Sequence, residues 1–398
     1  MNRDDFEILK TNVIYFDNGA TTLKPKVVLD SIVDYYTKFT ANAHRGDYDN
    51  SLIVDKLYEG TRSKVAKFIN ALRSDEIVFT KGTTESLNII VFGFMKKVLT
   101  KKDEVILSKA EHASNVLPWL ELQKEIGFKI KYVPLDKDLK LTFESLKSIV
   151  TKNTKVISLA HITNTVGDIR PIKQIGEFAK NNNIYFVVDG AQSVPHLKTD
   201  VQDLNCDFLA FSGHKMLGPT GIGVLYGRYS LLDKTDPINF GGGMNTSFES
   251  NGEFEYKSLP TRLEAGTQNI EGVIGLGAAI DYLSNIGMDN IHKYEIELRK
   301  YLIDKLETVS NVFVYNKNSD SGIVMFNLDG VFAQDTAVYL NNYHICVRAG
   351  NHCAKILKDE IGVTNTCRVS LYFYNTKEDI YKLVEALDTD DILCKSLI

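Results

Sequence analysis

The segment "FSGHKMLGPTGIGVLYG" (211–227) sets Lys215 after an apolar run, beside His214 and ahead of a glycine-rich turn. An amine at the end of a buried strand is costly to keep charged; burial lowers its pKa and makes it a nucleophile toward carbonyl groups. Two more apolar runs end in polar residues. "VVDGAQS" puts Asp189 after one, with Gln192 three residues later, and "AHITNTVGD" puts His161 and Asn164 after another. Any one of these reads alone as a cap or turn residue, but three such ends can share one crevice. A thiol is the fourth candidate. Cys353 follows "VRAG" in a short polar stretch beside His352, whereas Cys206 and Cys346 lie within apolar runs; a turn setting leaves a thiolate free to attack. Arg368, inside the β-rich run of "NTCRVSLYF", offers a planar fork for a carboxylate, the bland alternative being a surface ion pair.

The elements that must position these groups follow from periodicity. From about 75 to 230, the runs "DEIVFT", "DEVILS", "KIKYVPL", "KVISLAH", "IYFVVDG", "CDFLAFS" and "GIGVLYG" alternate with stretches of helical spacing such as "PIKQIGEFAKN". That alternation predicts an α/β fold with a mostly parallel sheet covered by helices, whose ligands gather at the carboxyl ends of the strands. Two long helices follow from 271 to about 310. Then come strands "VFVYN" and "SGIVMFNL", a helix near 334–342, strands "ICVRAG" and "CRVSLYF", and a closing helix from about 376. This is a smaller α+β unit with antiparallel character. The expected division is an N-terminal segment over 1–30 packing with the small unit, a large domain over 31–285, and a small domain over 286–398 that carries Cys353.

Composition removes other classes. With 398 residues, 44% hydrophobic and 24% charged, the chain is an ordinary globular one, and a formal charge of −5 gives no reason to expect nucleic acid or an anionic membrane as partner. The longest apolar stretches, such as "NIIVFGFM" (88–95), are too short to cross a bilayer, and the charged start "MNRDDFEILK" is no secretory signal, so a cytoplasmic location is expected. Five cysteines without a C-x-x-C pair fit neither a disulfide framework nor a zinc ribbon, and no metal is expected. Only 10 basic residues are arginine, which draws attention to Arg262, Arg348 and Arg368.

One cofactor would use the strand-end residues together. Pyridoxal phosphate needs an amine for its aldehyde, a carboxylate for its pyridine nitrogen, and N–H groups with hydroxyls at a helix start for its phosphate; "TKGTTESLNII" offers Gly82, Thr83 and Thr84 at such a start. The chain resembles the fold-type I pyridoxal phosphate enzymes of the class V aminotransferase group, and within it the SufS-type (group II) cysteine desulfurases. The likeness runs in order from "YFDNGATTLKP" (15–25) through "NAHRG", "KGTTESLN", "AEHASNVLPW", "HITNTVGDIRPI", "VVDGAQSVPH", "FSGHK", "GGGM", "RLEAGT" and "VRAGNHC" to "CRVSLYFYNT" (367–376).

The resemblance implies the following roles. Lys215 is the Schiff-base lysine, Asp189 the partner of the pyridine nitrogen, and His112 the residue stacked on the ring. Asn164 and Gln192 contact the ring oxygen. Thr83, Thr84, Ser212 and His214 hold the phosphate, joined by Thr267 from the other subunit of a homodimer. Ala20, Asn164, Arg348 and Arg368 face the substrate. Cys353 takes sulfur from L-cysteine as a persulfide, leaving alanine, with Lys215 as proton shuttle and His112 as an acid or base near the substrate sulfur. The sulfur then passes to an acceptor protein of SufU or SufE type for iron–sulfur cluster assembly. The nearest rival is a selenocysteine lyase, followed by a class V aminotransferase and a non-catalytic scaffold that binds the cofactor. Departures from the family pattern are Asn351 and Ala113, each where a histidine is frequent, and Gln334-Asp335 where a His-Asp pair is common. They bear on the cysteine segment and the acceptor.

Overall fold

The computed structural model describes residues 2–388; Cys394 lies outside them. Strand β1 (Ile14–Tyr15) precedes the strands of the main sheet: β2 (Ile77–Thr80), β3 (Glu104–Ser108), β4 (Lys129–Val133), β5 (Thr154–Ala160), β6 (Tyr185–Asp189), β7 (Phe208–Ser212) and β8 (Gly223–Gly227). Their order is β2-β8-β7-β6-β5-β3-β4. Every pairing is parallel except the two made by β8. The seven apolar runs of the sequence are these seven strands. Alternate residues feed the two faces: Ile106, Ile157, Phe186, Val188 and Phe211 join one core, and Val105, Val156, Val187, Phe208 and Ala210 the other. With both faces covered, all but the half-buried edge strand β4 read as near-continuous hydrophobic runs.

Helices supply the crossovers. Leu117–Ile126 joins β3 to β4, Phe143–Ile149 joins β4 to β5, and Ile172–Asn181 joins β5 to β6. The last puts Ile172, Ile175 and Ala179 on its buried face, at the spacing that one helix side requires. Lys26–Lys38 and Asp49–Phe68 pack against Ile270–Ile286.

A hairpin of β9 (Asn245–Phe248) and β10 (Phe254–Tyr256) precedes the two long helices. Gly287 at φ 87° turns the chain between Ile270–Ile286 and Met288–Leu306. The second sheet follows, built from β11 (Val312–Val314), β12 (Ile323–Leu328), β13 (Ile345–Cys346), β14 (Arg348–Gly350) and β15 (Thr366–Ser370). Four of these form an antiparallel sheet, β11-β12-β15-β14, while β13 pairs in parallel with β1. The sequence predicts one strand over 345–350; there are two, because the chain changes partner at Val347, from the N-terminal strand to β15. Helix Met288–Leu306 contributes Leu298, Leu302 and Leu306 to this unit's core, and Lys377–Leu387 adds Ile380 and Leu383.

The N-terminal segment is stitched to the second sheet. Ser370 N–H donates to Phe16 O at 2.7 Å, Asp17 bridges to Ser370, and Gly19 N–H donates to Ser370 Oγ at 2.7 Å. Residues 17–20 thereby run beside β15, close to Arg368.

Candidate active site

The carboxyl ends of β5, β6 and β7 open into one cavity, and the second sheet closes its far wall with Arg348, Cys353 and Arg368. Of the residues singled out in the sequence, Ala20, Thr83, Thr84, His112, Asn164, Asp189, Gln192, Ser212, His214, Lys215, Arg348, Cys353 and Arg368 all line it. Thr267 does not: it is exposed elsewhere on the same chain. His161 does not either; its N–H donates to Asp189 O at 2.9 Å, and its ring is buried with Nδ1 unpartnered.

Lys215 ends the short turn after β7. Burial pushes its amine down to about 8, against the pull of Asp189, so a sizeable neutral fraction exists near neutral pH. Asp189, the last residue of β6, is buried in the cavity wall. Burial raises its carboxyl to about 6, while the Ala191 N–H that donates to Oδ1 at 2.9 Å and the Lys215 charge hold it down. The carboxylate thus ends β6, and the amine stands in the turn that follows its neighbour β7.

His112 sits just beyond β3. Ser114 N–H donates to its Nδ1 at 3.1 Å, so the proton of the neutral ring belongs on Nε2. Burial first, and then the Lys215 charge, push this imidazole down to about 4. Ser114 went unnoticed in the sequence; its place two residues after His112 is the signal. Beyond it, Thr84 Oγ1 meets Ser114 Oγ at 2.7 Å, and Thr83 N–H donates to Ser212 Oγ at 2.8 Å. These groups cluster at the start of helix Thr83–Asn88, where Gly82 at φ 152° makes the turn from β2. Free N–H groups and hydroxyls at a helix start suit an anion. Burial likewise pushes His214 down to about 4, so that ring adds no charge.

Arg368 is fully enclosed. Its Nη1 donates to Asn164 O at 2.8 Å and Nη2 donates to Asp17 Oδ1 at 2.9 Å, leaving buried Nε without a partner. Asn164 Nδ2 donates to His352 O at 2.6 Å, and its Oδ1 is also buried and unpartnered. Orphaned polar atoms in a cavity wall are expensive, and here they belong to groups that face the cavity. Gln192 Nε2 donates to Gly19 O at 2.7 Å, tying the N-terminal segment to the β6 end. Arg262 takes no part: its Nη2 donates to Leu232 O and Asp233 O.

Cys353 follows β14 in a tight turn. His352 and Cys353 are both left-handed, at φ 51° and 58°, a conformation that non-glycine residues adopt only when neighbours hold them. The holds are Ala113 N–H donating to Cys353 O at 2.8 Å, Cys353 N–H donating to Asn351 Oδ1 at 3.1 Å, and His352 Nε2 set 3.0 Å from Thr366. The thiol itself is exposed. Cys206 and Cys367 are buried, and Cys346, expected to be buried, is only partly so. Among the described residues no cluster of side chains suits a metal ion, and no helix is long and apolar enough to cross a membrane.

Comparison with known proteins gives this geometry its relatives. A family model for class-V aminotransferases matches residues 14–383. A probable cysteine desulfurase of Halalkalibacterium halodurans is 42% identical over 384 residues, covering 96% of this chain and 94% of the relative. A cysteine desulfurase of Haloferax volcanii is 39% identical over 383 residues, covering 95% and 89%. Among solved structures, the apo cysteine desulfurase of Thermococcus onnurineus NA1 superposes with a TM-score of 0.93 at 37% identity, covering 97% of this chain and 96% of that one. The cysteine desulfurase CsdA of Escherichia coli gives 0.91 at 37% identity with the same coverage.

Proposed function

This chain belongs to the class V aminotransferase family, has the fold-type I architecture and takes pyridoxal 5'-phosphate as its cofactor; from that premise we propose that it is a cysteine desulfurase, converting L-cysteine to L-alanine with transfer of sulfur to Cys353. The observation that carries the reading is one cavity lined by a desolvated amine, a buried carboxylate, an arginine fork and an exposed thiol. Without the thiol the same cavity fits an aminotransferase.

The residues suit the cofactor. Lys215 would take the aldehyde, Asp189 the pyridine nitrogen, His112 the ring face, and Asn164 and Gln192 the ring oxygen. Thr83, Thr84, Ser212 and His214 would hold the phosphate. The unpartnered Asn164 Oδ1 is the kind of atom a bound ligand satisfies. When bound, pyridoxal phosphate supplies an aldehyde and a ring that takes up the electron pair released at the substrate α-carbon.

The protein's own groups do the rest. Arg368 holds the substrate carboxylate with N–H groups not already engaged, and Arg348, Ala20 and Asn164 frame the same space. Lys215, depressed toward neutrality, accepts and returns the α-proton. His112, neutral with its proton on Nε2, donates near the substrate sulfur. Cys353 Sγ attacks that sulfur. The Cβ–S bond breaks with its electron pair left on carbon, the sulfur joins Cys353 as a persulfide, and carbon takes a proton to become alanine. Exposure of Cys353 then lets an acceptor protein reach the persulfide.

The finer reading is that of a SufS-type enzyme in the cytoplasm, serving iron–sulfur cluster assembly through an acceptor of SufU or SufE type. It is a homodimer in which exposed Thr267 reaches the partner's phosphate site. The division into residues 1–30, 31–285 and 286–398 belongs to the same reading. With a reductant present, wild type should release alanine and sulfide in equal amounts from L-cysteine. Cys353→Ser should keep the yellow colour and lose at least 99% of sulfide release, about a hundredfold or more in rate. Undiminished release from that variant would place the nucleophile elsewhere.

A further inference from the structure

Among the described residues Asp17 is the one acidic side chain that contacts the two arginines of the cavity wall, and no role has been given to it. Its Oδ1 accepts from Arg368 Nη2 at 2.9 Å, and its Oδ2 lies 3.9 Å from Arg348 Nη1. Side-chain exposures are 23% for Asp17, 2% for Arg368 and 41% for Arg348. Its backbone is fixed independently of the arginines. Asp17 bridges to Ser370 in β15, its carbonyl accepts the Ala20 N–H at 3.0 Å, and the flanking Phe16 and Gly19 are bonded to Ser370. The strand that carries Arg368 therefore also anchors the segment that carries its partner.

The approach is close. A side chain at Gly19 would begin 3.0 Å from Arg368 Cζ, so the backbone at Gly19 packs directly against the guanidinium. Two cations and one anion give this wall a charge of +1, since two less one leaves one. One substrate carboxylate brings it to zero. A second carboxylate on the same substrate would leave an uncompensated negative charge in a half-buried site, which is costly.

Resting on the proposed function, we propose that Asp17 is the specificity-determining residue that restricts this site to amino acids with a single carboxylate, acting through Arg368 and Arg348. The electrostatics set the scale. A unit charge within about 8 Å at an effective dielectric of about 20 changes relative affinity roughly tenfold or more.

The test compares L-aspartate with L-asparagine, which share shape and differ by one charge. Their dissociation constants on the pyridoxal phosphate-loaded protein are measured by calorimetry, and their inhibition constants against L-cysteine by rate. Wild type should bind asparagine better. Asp17→Asn should shift the aspartate-to-asparagine affinity ratio at least tenfold toward aspartate, and Asp17→Glu should restore the wild-type ratio. Arg348→Gln, at a part-exposed site, should shift the ratio about tenfold the other way, and it carries the test if Asp17→Asn does not fold. A role confined to structure would weaken both ligands equally and leave the ratio still. An unmoved ratio in Asp17→Asn and Arg348→Gln, with wild type still desulfurating L-cysteine, overturns this inference alone. Wild type that ignores L-cysteine but shows the shifted ratios overturns the proposed function and leaves the charge-balance role standing.

Discussion

The two walls of the cavity are built in opposite ways. On the main sheet, Asp189 ends β6 and Lys215 sits in the short turn after the neighbouring parallel strand β7, and burial is the largest influence on the titration of both. On the second sheet, Cys353 stands exposed in a left-handed turn held by three hydrogen-bonded neighbours. A group that must stay desolvated belongs on a rigid, covered strand end. A group that must hand its cargo to another molecule belongs where solvent and a partner can reach it. On the proposed function, the sheets divide the labour between making the sulfur available and carrying it out.

Removing Lys215 would break this division most severely. Lys215→Ala should lose the visible absorbance band of the cofactor-bound protein and at least a thousandfold in turnover of L-cysteine, read by spectrum and alanine assay, while Cys353 stays as reactive toward a thiol reagent as in wild type. Arg368→Lys tests the seam between the walls. Loss of the bidentate fork should raise KM roughly ten- to hundredfold with the visible band kept; steady-state kinetics decide it.

A smaller effect sharpens the main-sheet side alone. The Lys215 amine must be unprotonated to combine with the cofactor, and burial places its titration at about 8 rather than at the ordinary 10.5. The sign follows: as pH falls below about 8 the neutral fraction shrinks, so the rate at which apo protein takes up pyridoxal phosphate should fall about tenfold per pH unit. Stopped-flow absorbance measures it. A break near 10.5 instead would mean that the amine is not desolvated.

How much was legible in the sequence differs between the same two regions. Six of the seven strands of the main sheet could be read because burial on both faces makes them near-continuous apolar runs, and the polar ends of β5, β6 and β7 mark the cavity; edge strand β4, with Lys129 and Lys131 in a half-buried run, was legible only from its β-rich composition. Arg368 stood out as a cation within an apolar run. Asp17 did not: only the pairing of the N-terminal segment with β15 brings it to an arginine 351 positions away, and no local pattern records that. Likewise "ICVRAG" gives no sign that its two halves pair with different strands, since partner choice is a property of topology. Thr267 was an expectation of the resemblance, and within one chain it lies away from the cavity.

The central claim is that Cys353 receives the sulfur that Lys215 and its neighbours make available. The most direct test is mass spectrometry of the Cys353 peptide after brief mixing of pyridoxal phosphate-loaded protein with L-cysteine and trapping with an alkylating reagent. One added sulfur atom on Cys353, absent in Lys215→Ala, is the predicted result. Alanine accumulating while Cys353 stays unmodified, or the sulfur appearing on Cys346 instead, would contradict it.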